Sequence, residues 1–274
     1  MQEPEFENEA QFTSWLERQM YPRHFDYAYS LLSLAEDAME RKVEAPSSSA
    51  YARAIVLILG KAYKSYLSAV RLGSAGLTED MGVIIRSLLN LYIIARWISK
   101  SHREDRARRY LAWFWIEMYR LLELVPTPAD SRQEIEREYR RYKGLFEYRH
   151  RRGNLRMTVH WHRSNIKRMA TETGLLQHYN VVYKPLSATE HSSALSYFGM
   201  LSESDKNNHT LIRLRDHEFV PFYLGYGYQY LAGVLFLWSH QFRVIEPNVF
   251  DTRVKGALDF FAQKQPEQDP SVTA

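Results

Sequence analysis

Tyr179, Tyr183, Ser187 and His191 fall four residues apart, a spacing that stacks side chains on one helical face. Two phenols, a hydroxyl and an imidazole in a row can hydrogen-bond an anion. The histidine titrates near neutrality, so it can also move a proton in a reaction. Pro185 interrupts the series and predicts a break, because it lacks an N–H and its ring clashes one turn back. Ser187-Ala-Thr-Glu190 has the capping-box pattern. Tyr179 and Tyr183 are therefore expected to close one helix, with Ser187 opening the next and His191 one turn inside it. A cap, two packing tyrosines and a surface histidine also account for the set.

Arg86 and Asn90 are likewise four residues apart, within the apolar stretch GVIIRSLLNLYIIARW. A buried guanidinium needs partners, and Asn90 is one turn away and able to orient it. Arg86 is thus either a structural arginine held by backbone or carboxylate, or an anion hook. A third feature is RHRRGNLRMTVHWHRSNIKR, which has no acidic residue from Tyr148 to Ala170. Arg149, Arg151, Arg152 and Arg156 are candidates for contact with a nucleic-acid backbone, and Trp161 for stacking a base. A solvated loop has the same composition. His160, Trp161 and His162 lack nearby carboxylates, so no metal set is expected, and no phosphate-loop, dinucleotide or zinc-hydrolase motif implies a cofactor.

RSLLN (Arg86 to Asn90), HW (His160, Trp161) and Y...Y..LS...H (Tyr179, Tyr183, Leu186, Ser187, His191) together resemble the bacterial domain-of-unknown-function family 5677. The likeness covers roughly Leu59 to Leu195. The family pattern usually has Glu where this chain has Asn90, which weakens any role needing a carboxylate there. The resemblance implies helices and a polar set drawn from distant segments, and no established activity. It makes a shared pocket for a phosphate or nucleotide the expectation. Asn90, Tyr179, Tyr183, Ser187, Trp161 and His160 would be the ligand-binding residues, and Arg86 and His191 the catalytic candidates.

In fold class the chain also resembles the HEPN ribonucleases of toxin and phage-defence systems. Their R-x(4–6)-H mark occurs at Arg18/His24, Arg96/His102 and Arg156/His162, no more often than chance supplies in a chain this rich in arginine. An Arg86–His191 pair from separate helices can still serve metal-free RNA cleavage. The competing expectations are a non-catalytic nucleotide sensor and a scaffold or membrane-associated protein, built around Phe219 to Trp238, that forms a homo-oligomer through its aromatic surface.

The elements that must position these residues are helices. The 274 residues are 45% hydrophobic and 14% aromatic, with only 12 Gly and 10 Pro. Few punctuators over that length favour long helices. The expectation is an all-α bundle of about eight to ten helices, a single compact domain over 1–262 and a disordered tail at 263–274. Gly73 is the expected stop of the helix that follows the Pro-Ser run, and His150 to Thr158 is expected to be a loop. No cysteine is present, which rules out disulfides and thiolate metal sites and fits a cytoplasmic protein. The net charge of +4 permits an anionic partner such as RNA without demanding one. Phe219 to Trp238 is uncharged and long enough to cross a bilayer, but it holds four tyrosines, a glutamine and a proline. A buried central helix is expected there, and no membrane partner.

Overall fold

Ser49, at the end of the Pro-Ser run, accepts a hydrogen bond from the Ala52 N–H and starts a helix. Its continuation sets the pattern of the chain, an all-α bundle of ten helices among the described residues. The computed structural model describes residues 6–41, 48–150, 154–162, 164–190, 201–202, 211–212 and 215–263. The first helices are α1 (Glu9–Trp15), which runs into a π turn at Leu16–Met20, α2 (Pro22–Glu40) and α3 (Ala50–Ser74). Next come α4 (Thr78–Lys100), α5 (Arg103–Leu121), α6 (Ala129–Tyr142) and α7 (Ile166–Glu172). α8 comprises Leu176–His178, a π turn at Tyr179–Tyr183 and Lys184–Glu190; α9 (Val220–Phe242) and α10 (Pro247–Gln263) follow. The tail expected to be disordered lies outside the described residues apart from Gln263.

α3, α4 and α9 pack against one another at the centre, α2 and α10 flank α9, and α5 covers α3 and carries α6. α9 is the segment that looked long enough for a bilayer. Its tyrosines find protein partners instead: Tyr230 bonds His178, and Tyr228 reaches the Arg253 carbonyl. Glycines let the sheath close on it. A Cβ at Gly227 would stand 2.5 Å from the Tyr66 ring, and Tyr66 donates to the Leu224 carbonyl at 3.0 Å. Among the described residues one helix, α4, is long and apolar enough to cross a membrane, and half of its most apolar stretch is buried inside the bundle.

Three local expectations are corrected. Gly73 does not end α3; it lies inside the helix against Met81, and Gly76 takes the left-handed conformation (φ +72°) that closes the turn. Residues 150–158 are not all loop, because β1 (Glu147–Arg149) pairs antiparallel with β2 (Leu155–Met157). A second pair joins β3 (Leu201–Ser202) to β4 (Leu211–Ile212). Strands of two or three residues are too short to show alternation in a sequence. Pro185 does not separate two helices. The Lys184 N–H bonds the Tyr179 carbonyl five residues back, and this wider turn relieves the clash of the proline ring with the preceding turn. Ser187 consequently lies within α8 and caps nothing.

Candidate functional site

α7 and α8 run back along α4, so residues far apart in sequence meet on one stripe of that helix. At the Arg86 end, the Arg86 Nη2 donates to the Tyr183 hydroxyl at 3.1 Å, and the guanidinium lies 4.3 Å from that ring's centroid. Tyr179 stacks on Tyr183 at 4.9 Å. The arginine is therefore held between a hydrogen bond and an aromatic face. Asn90 and Ser187 are half-buried nearby in sequence, and no hydrogen bond joins Asn90 to Arg86 among the described residues. His191, Arg151 and Arg152 lie outside the described residues.

Trp161 and His160 do not join this cluster. Trp161 packs against Trp97, which is 11 residues beyond Arg86 on α4, a separation of about 16 Å along the axis. Trp161 is buried, and the rings of Trp97 and Tyr110 meet it edge-on at 5.7 and 5.2 Å. It is thus a wall of the bundle and not an exposed stacking platform. His160 is exposed and stacks on His162 at 5.6 Å. Arg149 and Arg156 sit exposed on the two strands of the first hairpin.

Beside Trp161 opens a cleft of about 540 Å³ that sequence reasoning missed. Trp97 and Trp161 wall it, and Arg106, Arg109 and Arg168 line it. The Arg106 guanidinium lies over Trp97, 3.6 Å from the ring centroid, and donates to the Trp97 carbonyl. Arg109 crosses to the Leu145 carbonyl and the Phe146 ring. The N-terminal turn of α5 contributes His102 and Asp105, so the positive end of a helix dipole adds to the arginines. His102, Arg106 and Arg109 at i, i+4 and i+7 are the signal the sequence offered.

Glu172 is the second carboxylate of the cleft, and it is already committed. Trp97 Nε1 donates to it at 2.6 Å and Arg168 Nε at 3.0 Å, and the tryptophan's hydrogen bond leads in holding its carboxyl below the usual range. Lys100 and Arg96 donate to the carbonyls of Glu172 and Thr173, capping the C-terminus of α7. A larger cavity of about 930 Å³ beside Tyr92 and Phe236 includes the same Arg96 and Lys100, whose charges are spent on that cap.

His162 faces the cleft with its Nδ1 buried and unbonded. Burial, then the neighbouring His160, push its pKa down from 6.5 to about 4, against a backbone hydrogen bond with Ser164 that favours the charged form. The unfolded chain therefore takes up this proton before the folded one does. Its contribution to stability is complete above about 6.5 and is lost as the pH falls toward about 4. Urea unfolding across that window is expected to show the decline in wild type, and His162→Gln is expected to make it shallower, with His178 and Glu172 supplying what remains. An equal slope in both proteins would contradict the assignment. His178 is a further histidine that the sequence did not flag; its Nδ1 meets the Tyr230 hydroxyl at 3.1 Å, and burial lowers its pKa.

The fold defines the class, an all-α helical bundle. The chain belongs to a family of unknown function, DUF5677, whose model matches residues 52–209. No curated protein and no solved structure matches it.

Proposed function

We propose that the protein is a nucleotide- or RNA-binding module that holds a phosphate group in the cleft between α5 and residues 158–172. The observation that carries this is the convergence of Arg106, Arg109 and Arg168 on a cavity walled by Trp97 and Trp161, where Glu172 is already hydrogen-bonded. Guanidiniums suit phosphate because they present paired donors in a plane. Arg168 is exposed and bonds Glu172 through Nε, so the bond to Glu172 does not use its two terminal nitrogens. The exposed Arg149 and Arg156 of the adjacent hairpin extend the positive surface for a longer RNA.

Calorimetric titration with inorganic pyrophosphate at low salt tests the assignment. Binding is expected, it should weaken as salt rises, and Arg168→Ala should lower affinity about tenfold or more, the scale of a hydrogen bond to a charged group. No binding at low salt, or unchanged binding by Arg168→Ala, would refute it.

A second reading is metal-free RNA cleavage of the phage-defence or stress kind, with Arg86 and His191 as the reactive pair. The observation that favours it is the contact of Arg86 with Tyr183, which brings two of the residues singled out in the sequence together.

A further inference from the structure

A second cavity, of about 490 Å³, adjoins the arginine cleft. His162 and Ser164 line both and form the ridge between them. The chemistry changes across that ridge. One side presents three guanidiniums, with the carboxylates of Asp105 and Glu172 among them. The other presents Tyr148, Thr158, His160 and Asn165, a phenol, a hydroxyl, an imidazole and an amide, with no lysine, arginine or carboxylate among its described lining residues. Tyr148 and His160 are exposed, so their flat rings are open to a ligand. Two buried polar atoms along this wall, Thr158 Oγ1 and His162 Nδ1, have no hydrogen-bond partner. Buried polar atoms left unbonded in a folded protein are uncommon, and a site awaiting a ligand or its water is one reason for them.

We infer that the two cavities form one bipartite site for a nucleoside phosphate, with the phosphate on Arg106, Arg109 and Arg168 and the sugar and base in the chamber of Tyr148, Thr158 and His160. The inference rests on the phosphate-binding reading of the arginine cleft and adds the nucleoside to it. A cationic chamber matches the charged end of such a ligand. The hydroxyl, amide and aromatic groups described in the other chamber match ribose hydroxyls and a base, which offer hydrogen-bonding edges and a π face. A free nucleotide and the phosphorylated end of an RNA share this chemistry.

The test compares pyrophosphate, ADP and a 5′-phosphorylated oligoribonucleotide by calorimetry on the full chain. ADP is expected to bind about tenfold more tightly than pyrophosphate, the scale of one stacked base. Tyr148→Ala and Thr158→Val should reduce ADP to the level of pyrophosphate and leave pyrophosphate itself unchanged. Thr158→Val keeps the side-chain shape and removes an unbonded hydroxyl, so its folding stability should not fall. Tighter binding of the oligoribonucleotide than of ADP, with the same dependence on Tyr148, supports the inference with an RNA end as the source; the reverse order supports it with a free nucleotide. Equal affinity for ADP and pyrophosphate overturns the inference while the phosphate site stands. Failure of all three ligands to bind removes the phosphate site, and the inference with it.

Discussion

Trp161→Ala is expected to cost about 3–5 kcal/mol of folding stability, the usual range for truncating a buried tryptophan, and to abolish binding in the arginine cleft. Only 7% of this residue is exposed, and its ring meets Trp97 and Tyr110 edge-on. Trp97 in turn carries Arg106 on its face and donates to Glu172. Removing Trp161 therefore opens a cavity and frees the ring on which an arginine rests. Trp161→Phe should recover much of the stability, since it restores most of the apolar area. Urea unfolding of the three proteins gives the comparison. An exposed base-stacking tryptophan would behave in the opposite way, losing nucleic-acid affinity with no change in stability. That outcome would return Trp161 to the role its basic neighbours suggest in the sequence.

The difference between those two roles shows what the sequence could carry. Helices were legible because Gly and Pro are too few to punctuate the chain often, and because the Pro-Ser run marks a start that the structure uses at Ser49. The Arg86–Tyr183 contact was reachable because a charged residue on an apolar helix needs a partner, and a polar series elsewhere could supply one. Pro185 misled because a π turn, which leaves no mark in a sequence, absorbs it. The basic character around Trp161 was visible, but its burial depends on Trp97 and Tyr110, more than fifty residues earlier. The cleft was missed for the same reason. Arg106 and Arg109 share a face of α5, yet only the packing of α7 along α4, with Trp161 and His162 before it, turns that face into a cavity.

His191→Ala is expected to lower metal-free RNA cleavage by roughly 10²–10⁴-fold, the range for one general acid or base, while RNA binding survives. An imidazole that moves a proton acts in the transition state and adds little to ground-state affinity. Arg86→Ala should behave differently and lower both binding and rate, because a guanidinium that holds a phosphate does so in both states. Arg86 also packs on the Tyr183 ring at 4.3 Å, so Arg86→Ala removes a structural contact and its folding must be measured beside its activity. Arg86→Lys keeps the charge and loses the planar stack, and it separates those effects: a folded Lys variant that binds RNA but cleaves slowly assigns the loss to geometry. Arg168→Ala, in the separate cleft, should weaken phosphate binding without a specific loss in the rate of bound RNA. If wild-type protein cleaves no RNA, or His191→Ala cleaves as fast as wild type, catalysis by this pair is refuted. Phosphate binding in the arginine cleft then remains as the proposed function.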